Sequence, residues 1–351
     1  MLFRTLPKAD FQTLVERILE SNEVIAPKRV AVGQNGKPIH QYLPVEAFDE
    51  IELDYEKTDY SAKTYFLPYE EALSRYEFNG ADWEQEIRYR VQPRVLLGLH
   101  PCDINGLVKL DRYMLKGLFP SPYYQARREN TLVIGVLCAT TCQDGFCRAV
   151  GASEVTHGFD LFLTDLGDRY FVTIGSDRGN QLLGNVPHSE VSEDDKRDYS
   201  TARARFNAQP QTDVQMQNLA SLLDIEFESD VWRKWGAKCL SCGNCAMVCP
   251  TCYCYGVREE MSMDFGSSTK TKQLYACNFL DFAEVAGGHN FRPDQGIRLK
   301  YHYYHQHRGF LEQHEEPKCI GCNRCGRVCP VGIHPVGVIG DLQDEEASEA
   351  S

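Results

Sequence analysis

Residues 239–250 read CLSCGNCAMVCP and residues 319–330 read CIGCNRCGRVCP, so the string C-x2-C-x2-C-x3-C-P occurs twice. Three cysteines spaced by three residues wrap a loop around one face of a [4Fe–4S] cluster, and the fourth, followed by proline, points at the other cluster. Gly243 and Gly321 suit a loop that bends tightly and brings backbone N–H groups near sulfur. The repeat therefore predicts a two-cluster ferredoxin.

This cross-ligation rule assigns the eight motif thiols to two clusters. The first cluster takes three cysteines of the first motif and the last cysteine of the second: Cys239, Cys242, Cys245 and Cys329. The second cluster takes the complementary set: Cys319, Cys322, Cys325 and Cys249. The alternative is zinc, which takes four ligands, commonly as two C-x2-C pairs. A full four-cysteine run with proline, present twice, disfavours zinc.

The insert between the motifs is long, because 69 residues separate Cys249 from Cys319. Its helical patterns near residues 274–286 and 298–307 favour the all-helical variety of dicluster ferredoxin. The insert is rich in histidine, at His289, His302, His305, His307 and His314. A histidine-bound metal is one interpretation, but the interleaved arginines and lysine favour a basic helix face. The alternating tyrosines suggest a surface that faces a partner or covers a cluster.

Short apolar runs bounded by turn residues predict buried strands in the N-terminal half. They lie at residues 94–99, 131–137, 159–166 and 169–176. A helical pattern over residues 103–116 joins the first two runs into a parallel strand–helix–strand unit, and Gly167-Asp168 predicts a hairpin between the last two. A further helix is expected from Asp10, as its cap, to Ser21. The fold class here is α/β or α+β.

The chain therefore divides into an α/β (or α+β) N-terminal domain over residues 1–225 and a helical two-cluster ferredoxin domain over residues 226–340. Residues 341–351 are acidic and small, so a disordered tail is expected there. We find no repeat of solenoid period, and the one internal repeat is the cysteine motif itself.

Four earlier cysteines follow two of the predicted strands. Cys138, Cys142 and Cys147 follow the strand at 131–137, and Cys102 follows the strand at 94–99. If the two strands are parallel neighbours, all four thiols lie at the carboxyl edge of the sheet, where ligand sites of open α/β sheets are found. We expect them to hold a third [4Fe–4S] cluster. Asp103 either replaces one thiolate or caps the following helix. The alternative is that two of these cysteines are buried apolar residues.

Three further cysteines, Cys252, Cys254 and Cys277, belong to neither group. Cys252 and Cys254 lie just after the fourth cysteine of the first motif. We interpret the three as thiols that pack or hydrogen-bond near the second cluster. A fourth cluster is the less favoured alternative.

Composition excludes several classes of protein. The 351 residues carry a formal charge of −13, which disfavours a nucleic-acid binder. The sequence contains no run of eighteen consecutive apolar residues, so no transmembrane helix is expected. Residues 1–10 lack the apolar core of a secretory signal. Fifteen cysteines without a signal sequence indicate a reducing compartment, the cytoplasm. No G-x-G-x-x-G or Walker A string is present, so the visible chemistry is one-electron transfer.

Taken together, several segments resemble the beta subunit of cytosolic sulfhydrogenases, the NAD(P)-linked [NiFe] hydrogenases. They are HPCDI at 100–104, YYQARRE at 123–129, GFDLF at 158–162, CLSCGNC at 239–245, CPTCYC at 249–254 and VAGGHNFRP at 285–293. The A subunit of anaerobic sulfite reductase is similar too. The resemblance implies an iron–sulfur relay, and it supports a third cluster because Cys102, Asp103 and residues 138–147 are part of it.

We therefore expect a non-catalytic electron-transfer subunit of a multi-subunit oxidoreductase. Its expected partners are a flavin- and NAD(P)-binding subunit and the small and large subunits of a hydrogenase, with no nucleic acid and no membrane span. The alternatives are a relay in an anaerobic sulfite reductase or a heterodisulfide-reductase-linked complex, a free dicluster ferredoxin, and a cluster-based sensor. A free carrier seldom needs an N-terminal domain of this length, and no DNA-binding motif supports the sensor.

Overall fold

The computed structural model describes residues 2–33, 36–89, 91–142 and 144–349. Its strands are β1 Leu2–Pro7, β2 Glu23–Val32, β3 Pro38–Val45, β4 Glu70–Phe78, β5 Trp83–Ile87, β6 Arg94–Leu99, β7 Thr131–Val136, β8 Leu161–Asp165, β9 Arg169–Ile174, β10 Tyr255–Met261 and β11 Ser267–Leu274. Its α-helices are α1 Lys8–Leu19, α2 Pro101–Lys116, α3 Pro122–Glu129, α4 Asp177–Leu183, α5 Glu193–Ala208, α6 Leu219–Ile225, α7 Asp230–Gly236, α8 Asn244–Val248, α9 Gln295–His307, α10 Gly309–His314, α11 Arg324–Arg327 and α12 Pro335–Glu349.

The chain forms two compact units, and each is discontinuous in sequence. The first unit contains Met1–Ala62, Val91–Asp213 and Ile320–Cys322. The second unit contains Lys63–Arg90, Val214–Cys319 and Asn323–Ser351. The expected domain boundary at residue 225 stays a prediction. The main boundary between the compact units follows Asp213, and residues 63–90 and 320–322 each belong to a different unit from the residues on either side of them.

A seven-stranded mixed sheet forms the centre of the first unit, in the order β1-β9-β8-β7-β6-β2-β3. Strands β2, β6, β7 and β8 are parallel, while β1, β9 and β3 pair antiparallel. The strand–helix–strand prediction is confirmed, because α2 connects onward from β6, which neighbours β7 in the sheet. The hairpin of β8 and β9 is confirmed as well, and Gly167 in its turn has a φ of 108°.

Helix α1 packs its apolar face into the core of this sheet, as the sequence pattern predicts. Its buried side chains are Phe11, Leu14, Val15 and Ile18. The predicted capping role of Asp10 is wrong, because the helix begins at Lys8 and Asp10 lies in its first turn. An acidic side chain in the first turn still interacts favourably with the helix dipole.

The second unit combines helices with a four-stranded antiparallel sheet in the order β10-β11-β4-β5. The all-helical ferredoxin expected from the insert is therefore wrong for this part of the chain. Residues 274–286 contain the end of β11 and the 3-10 turn Leu280–Ala283, whereas the predicted helix at 298–307 is confirmed within α9. Strand β11 is stabilised by pairing with β4, a partner nearly 200 residues earlier that local helical patterns do not reveal.

The acidic C-terminal segment is helical rather than disordered as far as Glu349, and residues 350–351 lie outside the described chain. Leu342 is fully buried. Asp341 accepts hydrogen bonds from Trp235 Nε1 at 2.9 Å and from Lys234 Nζ at 2.7 Å. These contacts anchor α12. Disorder was expected because the other acidic residues of this helix dominate the composition of the segment. No helix among the described residues has both the length and the apolar character needed to cross a bilayer.

Candidate iron–sulfur sites

The two cysteine motifs adopt the same backbone bend. The third and fifth residues of each motif are left-handed, with φ of 52° at Ser241, 74° at Gly243, 67° at Gly321 and 53° at Asn323. In each motif the third cysteine then lies in a one-turn helix, α8 or α11. A Cβ atom added to Gly243 would lie 2.4 Å from the Phe279 ring, so this position requires glycine. The sequence repeat is thus a structural repeat.

A cavity in the second unit gathers seven of the eight motif thiols. They are Cys239, Cys242, Cys245, Cys249, Cys319, Cys325 and Cys329. One face of α9 lines the same cavity, with Leu299, His302, Tyr303, Gln306 and His307. These positions recur at helical spacing, so a single face of α9 covers the thiols. The predicted basic helix face is therefore wrong, since Arg298 and Lys300 are also buried. Tyr303 lines the thiol cavity, and the covering of a cluster by these tyrosines stays a prediction.

Burial and the neighbouring thiols disfavour the ionisation of Cys245 in this cavity. Burial raises the pKa of Cys245 to about 12, and the thiols of Cys239 and Cys249 act in the same direction. A set of buried thiols becomes stable as thiolates when a bound metal supplies positive charge. The donor set therefore fits iron–sulfur clusters. Within the described residues, no three or more His, Cys, Asp or Glu side chains converge on a single-ion site.

Backbone N–H donors hold these loops in place. Ser241 N donates to Cys239 Sγ at 3.4 Å, and Ile333 N donates to Cys329 Sγ at 3.2 Å. Gln306 O accepts from the backbone N–H groups of Lys318 and Cys319, at 2.9 and 3.1 Å. Helix α9 thereby fixes the start of the second motif as well as covering the cavity.

Two buried lysines hold the cysteine loops, and the sequence analysis missed both. Lys63, 1% exposed, donates from Nζ to the carbonyl oxygens of Ala246 and Cys252, each at 3.0 Å. In the first unit, Lys57 Nζ donates to the carbonyl oxygen of Cys322 at 2.9 Å. The only sequence signal is a pair of lysines six residues apart in a run rich in Tyr, Thr and Ser, which is too weak to identify them.

In the first unit the four early cysteines lie around one cavity. Cys102, Cys138, Cys142 and Cys147 line it. The physical reason is the one expected from the sequence: β6 and β7 are parallel neighbours, and each is followed by its cysteines. Burial raises the pKa of Cys138 well above its usual range, and the thiols of Cys142 and Cys147 add to the shift. This donor set also fits a metal cluster, and ligation by these residues stays a prediction.

Asp103 is placed differently from the four thiols. It is 2% exposed, and its Oδ2 accepts a hydrogen bond from the Tyr42 hydroxyl at 3.0 Å. It does not line the thiol cavity, whereas its neighbour Cys102 does. This geometry favours Cys102 over Asp103 as the ligand.

Cys322 is the one motif cysteine that does not line the cavity of the second unit. Its segment belongs to the first unit, where Cys322 lines the cavity of the early cysteines. Phe146 N donates to Gly321 O at 2.7 Å, and a Cβ on Gly321 would lie 2.6 Å from the Phe146 and Cys147 backbone. Close backbone approach therefore requires glycine here and holds Cys322 beside the early cysteines.

Two of the three remaining cysteines, Cys252 and Cys277, contact residues that line the second unit's cavity. Cys252 Sγ accepts from Gln306 Nε2 at 3.2 Å. Cys277 Sγ lies 3.3 Å from His302 Nδ1, and Cys254 O accepts a backbone hydrogen bond from Tyr275 N at 2.8 Å. The interpretation of these cysteines as thiols that pack or hydrogen-bond near the second cluster stays a prediction.

Repeated cysteine loops around a buried thiol cavity define an iron–sulfur protein of the dicluster ferredoxin class. Residues 238–333 match the family model described as a 4Fe-4S dicluster domain. Over 337 residues the chain is 30% identical to sulfhydrogenase 2 subunit beta of Pyrococcus furiosus, covering 95% of this chain and 96% of that protein. The chain belongs to the family of sulfhydrogenase beta subunits, and it is an iron–sulfur electron-transfer subunit of the hydrogenase type. No solved structure gives a significant match.

Proposed function

We propose that the chain holds three [4Fe–4S] clusters and relays electrons between a flavin- and NAD(P)-binding subunit and the small and large subunits of a [NiFe] hydrogenase in the cytoplasm. The observation that carries the proposal is the cavity lined by seven motif thiols. The clusters would supply one-electron transfer. The chain's own residues hold and orient the thiols, exclude water through α9, and supply buried ammonium groups beside the loops.

The ligand assignment rests on motif spacing and on the two cavities. The C-terminal pair of clusters takes the cross-ligated sets given by the spacing, and the third cluster takes Cys102, Cys138, Cys142 and Cys147. Cys322 stays in the second motif's set because C-x2-C-x2-C spacing supplies three ligands to one cluster. Its location in the wall of the early-cysteine cavity makes Cys322→Ser a sharp test. Loss of the third cluster's signal instead of the second's would reassign it.

The experiment is anaerobic reconstitution of the full chain, followed by iron analysis and electron paramagnetic resonance during reductive titration. About twelve irons and three separable reduced-cluster signals are expected. The isolated chain should not oxidise NAD(P)H or hydrogen with a dye acceptor, because it lacks a nucleotide fingerprint. Turnover by the isolated chain would refute the relay. A nickel-binding chain that copurifies supports the hydrogenase complex, whereas a sirohaem chain would favour the sulfite reductase complex.

A further inference from the structure

The four-stranded sheet of the second unit ends in two adjacent hairpin turns. Strands β4 and β5 are joined by residues 79–82, and strands β10 and β11 are joined by residues 262–266. Because β4 pairs antiparallel with β11, both turns lie at the same end of the sheet, and Phe78 N donates to Gly266 O at 2.9 Å. Strand β10 has seven residues and begins directly after Cys254. At about 3.3 Å per residue, the turns therefore lie about 20 Å along the strand from the cysteine segment.

Large apolar side chains are exposed at this end of the sheet. We call them the tip cluster: Phe78, Trp83, Met261, Met263 and Phe265. Phe78 and Trp83 are paired across β4 and β5, and their ring centroids lie 5.4 Å apart. Met263 is 96% exposed and Phe265 is 70% exposed, so the two side chains project from the turn between β10 and β11. Single exposed apolar residues are common on proteins, but a group of them at one place marks an interaction surface.

The most strained residue of this turn is also one of its exposed aromatic residues. The backbone of Phe265 is left-handed, with a φ of 58°. Glycine and asparagine adopt this conformation readily, whereas a bulky aromatic residue is strained there. The turn is held closed, because Phe265 N donates to Ser262 O at 3.0 Å and Gly266 N donates to Asp264 Oδ1 at 3.1 Å. Since the ring is mostly exposed, packing within the chain does not offset the strain, which points to a function for this side chain.

The segments around the tip cluster are acidic. Residues 76–85 and 260–268 contain five carboxylates and no lysine or arginine. Within the described chain, three of the five carboxylates form no ion pair: Asp82, Glu84 and Asp264. This acidic rim repels the phosphate groups of nucleic acids and of anionic lipids. In a symmetric contact between two copies of the chain it would face an equally acidic rim. The charge is complementary to a surface that presents lysine and arginine side chains.

We propose that the tip cluster anchors this chain to another subunit of its complex, with Phe265 inserted into an apolar pocket that lysine and arginine side chains border. This inference rests on the proposed function, which requires partner subunits. Aromatic side chains that enter a dry pocket, surrounded by a polar rim, carry much of the binding energy of protein interfaces. Because the turns lie far along the sheet from the cysteine segment, variants of the tip cluster should keep the iron content of the native chain.

The test isolates the tagged full chain anaerobically from its source cells and follows the release of the flavin subunit and of the hydrogenase small and large subunits. Phe265→Asn removes the ring but suits the left-handed backbone. One partner should therefore dissociate at least about tenfold faster, while the urea midpoint of unfolding stays the same or rises. Met263→Ser should also speed dissociation without touching the strained position. Phe119→Asn is the matched control, because that ring is 91% exposed in a loop of the first unit, and it should change neither quantity.

Cross-linking identifies the surface that meets the acidic rim. A carbodiimide, which joins carboxylates to amines, should link Asp82 or Glu84 to lysines of the partner that Phe265→Asn releases. An intact complex from which Phe265→Asn and the native chain dissociate at equal rates would overturn this inference and leave the proposed function standing. A lower urea midpoint for Phe265→Asn would show that the ring stabilises the fold, and it would overturn the inference too. So would binding of the tip cluster to a second copy of the chain or to phosphatidylglycerol vesicles. A native chain that copurifies with no partner would overturn the proposed function as well.

Discussion

Replacing Lys63 by methionine tests how the buried lysines act on the iron–sulfur loops. Methionine fills most of the same volume but carries neither charge nor hydrogen-bond donor. Burial lowers the pKa of Lys63, while the thiols of Cys252 and Cys249 act in the opposite direction. An anionic cluster beside these thiols strengthens that second effect, so the side chain should be charged in the loaded protein.

Two consequences follow from the contacts of Lys63. The carbonyl oxygens of Ala246 and Cys252 lose their donor. Hydrogen bonds to charged groups contribute about 1.5–3 kcal/mol each, and relief of the buried ammonium offsets part of this, so unfolding should become easier by about 2–4 kcal/mol. At an effective dielectric of about 20, a unit charge beside such a buried site contributes on the order of 2 kcal/mol. Because about 2.3 kcal/mol corresponds to about 100 mV per charge, the reduction potential should fall by about 90 mV.

The potential is measured by a redox titration followed by electron paramagnetic resonance, and the free energy of unfolding by urea titration. Lys196→Met, at an exposed site in the first unit, is the control and should change neither quantity. If Lys63→Met loses iron, Lys63→Gln is measured instead, because it keeps an amide donor and still removes the charge. The reduction potential of Lys63→Gln then tests the electrostatic argument. A variant that retains its iron with a potential within about 20 mV of the native value would refute the electrostatic argument.

Three further predictions concern the ligands and the C-terminal helix. Cys329→Ser should perturb the cluster held by the first motif and Cys249→Ser the cluster held by the second; resonance spectra in which each variant alters its own motif's cluster would contradict cross-ligation. Cys102→Ser should lose about four irons while Asp103→Asn keeps them, and the reverse iron contents would make the carboxylate the ligand. Leu342→Ala should lower the free energy of unfolding, measured by urea titration, by about 2–5 kcal/mol, because the side chain is fully buried. A decrease below about 0.5 kcal/mol would instead support a disordered C-terminal tail.

Features set by short stretches of sequence were predicted well. The motif loops repeat their left-handed positions because cysteine spacing and tight bending constrain the same few residues. Strands β6 and β7 could be found because each is a buried parallel strand with a continuous apolar run. Their cysteines could then be placed together, because parallel neighbouring strands end at the same edge of a sheet.

Features set by distant partners could not be predicted. Strand β11 pairs with β4, so its conformation depends on a segment whose own pattern says nothing about the insert. The C-terminal helix is held by Leu342 and by the contacts of Asp341, while composition reflects only its exposed acidic side. Lys57 and Lys63 look like surface residues in sequence, because a lysine is rarely buried unless specific acceptors are present.

Lys63 donates to the carbonyl oxygens of Ala246 and Cys252, and this explains why the second unit includes residues from the N-terminal quarter of the chain. A reduced cluster adds negative charge to a buried site, and the loops around it expose carbonyl oxygens that also repel added electrons. A buried ammonium bound to two such carbonyls, as at Lys63, opposes both effects at once and restrains the loop. Strands β4 and β5 follow this lysine directly and belong to the same unit. The segment that appeared least informative in sequence therefore stabilises the cysteine loops and sets the charge around them.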